Sequence, residues 1–469
     1  MDGRAKRIIV CCDGTACSSY KRHGGLSLTN VSRISRSIKA VADNGTPQMV
    51  FYQPGIGTAA ANPLNILNQG IGSGIDEKIM EAYSFICHNY SGEDDKIILI
   101  GFSRGAFTVR CIADFIHKAG LLTKVGLFYL TQLYDLWVGG KLGTDNVPEA
   151  FRTGVLGDPT QVRPSIRINA CAVWDTVCSL GVPQLGFSGP RLPSRFSFVL
   201  SDLCEGIENA FQALSLHERR LAFLPYVWKP RETNHCSLQQ CWFMGYHADI
   251  GGGNKDECLA HFALAWMISK LDPFVEFNKE YFWMPTASDT SWKLSAAPTV
   301  DTFDPPFMVG LQIPDSMNLF YWLWGSIHRK PRRQFWTHVG FEQFYPPVNN
   351  ISKEFMHSTV RLLTFLGALD TCPSLKGGKP ERRGNQWIWN LRLRPKSPFW
   401  AFVRAVEPAP THETYEVVED PMGPTERELL KQWLNSELYL LQERANENDP
   451  DPQTLIPYLL EWLDKQLAN

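Results

Sequence analysis

No stretch of this 469-residue chain approaches twenty uninterrupted apolar residues, so no bilayer-spanning helix is expected. The opening Met1-Asp2-Gly3-Arg4-Ala5-Lys6-Arg7 lacks the apolar core and cleavage pattern of a secretory leader and runs straight into a strand-like segment at Ile8. A cytoplasmic chain is the expectation. Basic excess is missing too: the formal net charge is −2, which argues against a nucleic-acid partner. There is no internal repeat and no low-complexity tract. The residues His235-Cys236 and Cys241 have metal-binding chemistry, but no second pair stands at structural-zinc spacing, so no metal is expected. The loop Gly70-Ile71-Gly72-Ser73-Gly74 lacks both the Lys-Ser/Thr of a P-loop and a full G-x-G-x-x-G, so no nucleotide cofactor is expected.

What the chain does have is aromatic bulk, with fifteen Trp, and twelve Cys. The aromatics suit large apolar packing surfaces and an apolar or lipid-facing pocket. Without a leader the cysteines read as reduced thiols, and Cys11, Cys12, Cys171 and Cys241 fall in strand-like runs where a thiol acts as a small hydrophobe.

The first half alternates short apolar strands with amphipathic helices, the rhythm of a parallel-sheet α/β domain. Strands are predicted at 7–12, 48–53, 96–100, 166–174 and 240–246, and helices at 30–41, 75–90, 105–119 and 202–213. After about residue 285 this rhythm gives way to Pro-rich and aromatic sequence, and two helices close the chain at 425–444 and 453–466, with Thr425 and Glu428 spaced as a capping box. The expected organisation is an α/β-hydrolase-like catalytic domain over 1–285. A mixed, largely helical C-terminal extension over 286–469 would pack on or near it. The basic strings at 328–333 and 376–383 read as exposed loops.

The segment Gly101-Phe102-Ser103-Arg104-Gly105 follows the apolar run Lys96-Ile97-Ile98-Leu99-Ile100 and precedes a helical pattern. Strand, G-x-S-x-G and helix form the layout of a nucleophile elbow, where a tight turn holds the serine hydroxyl clear of the backbone. A serine nucleophile needs a base, and the base needs an acid to hold its tautomer. Asp175 ends the run Ile166–Trp174, and His247 follows Trp242-Phe243-Met244-Gly245-Tyr246 before the Gly251-Gly252-Gly253 turn. Both stand at strand ends in the chain order Ser, Asp, His. Asp249 is a second candidate for the orienting acid. Cys12-Asp13-Gly14-Thr15 ends the first strand, where an N–H near Gly14 would join that of Arg104 in binding an oxyanion. The Arg104 guanidinium suits either a substrate phosphate or a structural salt bridge.

With these residues the chain resembles the catalytic domain of the type VI secretion phospholipase effectors of the Tle-one type. This is an α/β-hydrolase family abundant in fungi and bacteria and formerly known as a domain of unknown function. The resemblance lies in Val10–Thr15, Phe51–Thr58, Gly101–Ala106, Val173–Val177, Ala213–Arg220 and Gly245–Gly253, spanning about residues 7–270 in the family's order. It implies Ser103, Asp175 and His247 as the triad and puts Asp13-Gly14-Thr15 near the site; the family's bacterial effectors cleave phospholipid acyl esters, but membership alone does not settle the substrate of this chain. The chain departs from the family pattern at Ala16-Cys17 after the first loop and at Cys178 after the acid, and both departures bear on pocket shape.

The reading is a cofactor-free serine hydrolase of carboxylic esters, with a lipid or phospholipid ester as substrate. Two alternatives stand beside it: a hydrolase-fold binding or scaffold protein, and a thioesterase or small-molecule esterase. The aromatic stretch Leu319-Phe320-Tyr321-Trp322-Leu323-Trp324, followed by basic residues, has the composition of a peripheral membrane-docking segment and also that of a helix packed on the core. Protein partners are not legible.

Overall fold

Ile97-Ile98-Leu99-Ile100 is buried along its whole length, as a strand covered on both faces must be. Its side chains alternate between two cores. Ile98, Ile100 and Phe102 join Ile9, Cys11, Val31 and Ile34 on one face, and Ile97 and Leu99 join Ile8, Val10, Ile79 and Ile112 on the other. Each fully buried Ile or Leu contributes about 1.5–3 kcal/mol relative to exposure, so such a run fixes the sheet's centre.

The protein is described from a computed structural model covering residues 5–15, 17–18, 28–55, 74–177, 196, 199, 202–220, 223–230, 235–254, 256–282, 328–332, 334–337, 340–343, 352–365, 372, 374–375, 377–392, 414–444 and 456–465. The strands are β1 Arg7–Cys12, β2 Gln48–Gln53, β3 Lys96–Phe102, β4 Leu121–Leu122, β5 Val162–Arg163, β6 Ala170–Trp174, β7 Asn209–Ser215, β8 Ser237–Phe243, β9 Gln334–Thr337, β10 Gly340–Gln343, β11 Glu354–His357, β12 Lys379–Arg383, β13 Gln386–Arg392 and β14 Thr414–Asp420. Ten of them form one sheet in the order β2-β1-β3-β6-β7-β8-β11-β14-β13-β12. Pairing is parallel from β2 through to β14, and only β13 and β12 run antiparallel to their neighbours. Helices Asn30–Ser37 and Cys258–Leu271 pack on one face, and Ile75–Asn89 and Arg104–Ala119 on the other. The fold is an α/β sheet flanked by helices. Its C-terminal part is mixed: strands β11 to β14 prolong the sheet, and helices Pro424–Arg444 and Ile456–Lys465 close it.

Several elements depart from the sequence-based expectation. The helix expected at 202–213 is absent, and Asn209–Ser215 is a strand between β6 and β8. Leu203, Ile207, Ala210 and Leu214 recur at helical spacing and are all buried, but Ala210 and Leu214 pair within the sheet, whose ladders override a weak local propensity. Polar Gln212 survives there because its amide N–H groups donate to Tyr226 O and Gln240 Oε1. The first helix also stops early, at Ser37, because Ile38 turns extended and bridges to Phe277. At the C-terminus the long helix begins at Pro424, and Glu428 accepts from Gln432 instead of completing a capping box.

The 376–383 string ends in the exposed edge strand β12 rather than a loop. Aromatic segment 308–327 and residues 70–73 of the glycine loop lie outside the described residues. Among the described residues no helix is long and apolar enough to cross a membrane.

Candidate active site

β1 has β2 on one side and β3 on the other, so the chain order reverses beside it, and loops from the carboxyl ends of β1 and β3 meet at that switch point. Ser103 sits there, between β3 and the helix Arg104–Ala119, with φ 57 and ψ −122. This is a conformation that a non-glycine residue holds only when its surroundings enforce it. The flanking glycines are required by space. A Cβ at Gly101 would stand 2.7 Å from Ala106 Cα, and one at Gly105 would stand 2.2 Å from Cys12 O.

The serine hydroxyl lies 2.8 Å from His247 Nε2, and His247 Nδ1 lies 2.6 Å from Asp175 Oδ2. An ionised Asp175 accepts only, so Nδ1–H donates to it and the Nε2 lone pair faces the Ser103 O–H. Asp175 follows β6 in a positive-φ turn, φ 41, and its N–H donates to Ala213 O. His247 opens the short helix His247–Gly251 beyond β8. Its ring is packed by Phe102, with centroids 4.8 Å apart, and edge-on by Phe223 at 4.9 Å. A Cβ at Gly251 would fall 2.0 Å from Phe102 Cε2, so the glycine turn leaves room for that ring.

The Asp175 carboxylate is fully buried and accepts four donors. Ser215 N at 3.1 Å and Arg329 Nη1 at 2.5 Å reach Oδ1, while His247 and Arg329 Nη2, at 3.0 Å, reach Oδ2. Burial by itself would push the carboxyl pKa up; the Arg329 guanidinium first and His247 next overcome it, leaving about 2. The Asp249 carboxylate is engaged elsewhere. Its Oδ2 accepts from Tyr246 N at 2.8 Å and its Oδ1 from Asn254, and burial raises its pKa to about 6.

The loop after β1 is organised by Asp13, whose Oδ2 accepts from Tyr52 Oη at 2.6 Å, Ser32 Oγ at 2.8 Å and Thr29 Oγ1 at 2.9 Å. Burial raises the Asp13 pKa in spite of these donors. Gly14 passes close to the serine: a Cβ there would lie 3.5 Å from Ser103 Cβ and 2.7 Å from the Phe102 ring. Its own N–H donates to Asp13 Oδ1 at 2.7 Å. Arg104 is buried and its Nε donates to the Thr15 hydroxyl, bracing the elbow against the loop. Among the described residues no three His, Cys, Asp or Glu side chains converge as metal ligands.

Two polar groups at the site escape sequence reasoning. Glu218, whose Oε2 accepts the His247 N–H at 3.4 Å, is buried; its pKa nonetheless stays low because the Arg220 guanidinium bonds it twice, at 2.8 and 2.6 Å. Arg329, expected in an exposed loop, is only 1% exposed and meets a carboxylate 154 positions away. Basic composition cannot reveal such a pairing, whereas Glu218 lies within the stretch Ala213–Arg220 that carries the family resemblance.

Residues 6–270 match the family described as T6SS, Phospholipase effector Tle1-like, catalytic domain. An uncharacterized protein of Saccharomyces cerevisiae, YEL023C, is 28% identical over 269 residues, which are 50% of this chain and 36% of that protein. The chain thus spans about a third of that relative's length. Among solved structures, the Tle1 effector bound to the VgrG spike of a type 6 secretion system is 20% identical, with 54% of this chain and 52% of that one covered at a TM-score of 0.31. An uncharacterized protein from Pseudomonas aeruginosa is 17% identical, with 57% and 45% covered at the same TM-score of 0.31.

Proposed function

Because the chain belongs to the Tle1-like catalytic-domain family of type VI secretion phospholipase effectors, we propose that it is a serine hydrolase of carboxylic esters, with lipid or phospholipid acyl esters as its substrate class. The observation that carries the reading is the relay from Ser103 Oγ to His247 Nε2 at 2.8 Å and from His247 Nδ1 to Asp175 at 2.6 Å. Residues 1–285 form the catalytic unit in this reading, and 286–469 form the extension that prolongs its sheet.

In the first half-reaction Ser103 Oγ attacks the ester carbonyl while His247 Nε2 takes the hydroxyl proton. The tetrahedral intermediate collapses to an acyl-serine, and His247 hands the proton to the departing alcohol. Water, deprotonated by the same nitrogen, then releases the acid and restores Ser103. Asp175 keeps the imidazole in the tautomer that exposes Nε2. The oxyanion forms beside the start of the helix Arg104–Ala119, where the Arg104 backbone N–H is the assigned donor. The Gly14 loop, pinned through Asp13, forms the opposite wall.

The test compares wild type and Ser103→Ala on a panel of phospholipids, neutral lipid esters, thioesters and short acyl esters. Turnover of a lipid ester that Ser103→Ala abolishes is the expected result. Preference for a short ester or thioester would overturn the substrate class. A wild type inert on the whole panel, yet folded by circular dichroism, would overturn the enzymatic reading in favour of a binding role.

A further inference from the structure

We infer that Arg329, which lies beyond the matched residues 6–270, is a positioning residue of this site: its guanidinium fork grips both oxygens of Asp175 and fixes the direction from which Asp175 serves His247. The inference rests on the hydrolase reading above. The fork is itself held in place, since Nη1 also donates to Ser215 O at 3.0 Å and Nη2 to Phe223 O at 2.5 Å. Those two carbonyls belong to the end of β7 and to the connection between β7 and β8, and the Phe223 ring packs against His247. One side chain therefore ties together the acid, the wall of the base and a neighbouring strand end.

Geometry and charge both require arginine here. A planar fork matches a carboxylate with two parallel N–H···O bonds, whereas a lysine ammonium offers one point charge. Among the described residues, the charged groups bonded to Asp175 are Arg329 from the segment 328–332 and His247 from the helix beyond β8, and the Glu218–Arg220 pair, between β7 and β8, meets the His247 backbone N–H. Asp175⁻ and Arg329⁺ balance, as do Glu218⁻ and Arg220⁺. When His247 takes a proton it therefore meets an ionised carboxylate whose charge Arg329 already balances. The main contribution of Asp175 becomes a fixed acceptor for Nδ1–H. Without Arg329 the buried carboxyl would lose the cation that most strongly keeps it ionised. It would then protonate at higher pH, and a neutral Asp175 no longer enforces the tautomer.

The experiment measures kcat, KM and the pH dependence of ester hydrolysis for wild type, Arg329→Lys and Arg329→Gln in the full chain, with melting temperatures alongside. Arg329→Lys keeps a cation in the cavity and carries the test if Arg329→Gln does not fold. Arg329→Lys is expected to lose at least about tenfold in kcat with KM within about twofold, since a displaced group costs rate more than binding. In Arg329→Gln the acid limb of the pH profile is expected to move upward by about one pH unit or more, with Arg329→Lys falling between it and wild type. Unchanged kcat and an unchanged acid limb in a folded Arg329→Lys would overturn the positioning role while leaving the hydrolase reading standing. A wild type without Ser103-dependent turnover would overturn the hydrolase reading, and this inference with it.

Discussion

At the scale of single residues, the two aspartates beside His247 do different work because their surroundings differ. Asp175 is crowded by cationic and N–H donors and stays ionised far into acid, whereas Asp249 accepts from the Tyr246 N–H and Asn254 and is pushed up to about 6 by burial. Asp175→Asn is expected to lower kcat by about four orders of magnitude with little change in fold, because an amide that turns its N–H₂ toward Nδ1 favours the wrong imidazole tautomer; steady-state kinetics beside a circular dichroism spectrum check this. Asp249 bears on stability. Its folded-state pKa is raised above the ordinary 3.8, so the folded protein binds the extra proton between about pH 4 and 6. Its contribution is therefore fully present below that window and is lost as pH rises through about 6, with a magnitude of about 3 kcal/mol. Urea denaturation at pH 4.5 and 7 is expected to show that pH slope in wild type and a smaller one in Asp249→Asn. Equal slopes in the two proteins would contradict the assignment.

Among the elements, the elbow is the most constrained. Gly105 lies where a Cβ would overlap the carbonyls of both Cys12 and Asp13, so the helix Arg104–Ala119 touches the end of β1 backbone to backbone. Gly105→Ala must separate them and is expected to cost about 1–3 kcal/mol or more and to slow phosphonate labelling of Ser103, which thermal melts and labelling rates would show. That element was legible from its strand, spacing and glycines, because its constraints are local. β7 was not: Asn209-Ala210-Phe211-Gln212-Ala213-Leu214 reads equally well at helical period, and only pairing with β6 and β8 decides it. Asp175 and His247 were legible as polar residues ending apolar strands. Arg329 was hidden because its partner lies 154 positions away and its neighbours in sequence are those of a solvated loop.

At the scale of the whole molecule, the sheet runs on past the matched residues. β11 pairs with β8 and β14 with β11, and buried polar contacts tie β11 to β8 and to the long C-terminal helix. Trp242 Nε1 donates to Glu354 Oε2 at 2.8 Å, and His357 lies 2.7 Å from Glu426 at the start of the long C-terminal helix. Glu426→Ala strips His357 of that partner and is expected to cost about 1–3 kcal/mol, read as a lowered denaturation midpoint with unchanged m-value. The same continuity brings Arg329 to Asp175, so residues on both sides of position 285 build the candidate site.

The most direct measurement of the central claim is intact-mass analysis of the full chain after treatment with a fluorophosphonate, followed by peptide mapping. The account predicts a single adduct per chain, on Ser103, that is lost in Ser103→Ala and forms far more slowly in His247→Ala. Full single-adduct labelling of Ser103→Ala, or a wild-type adduct mapped to another residue, would contradict it.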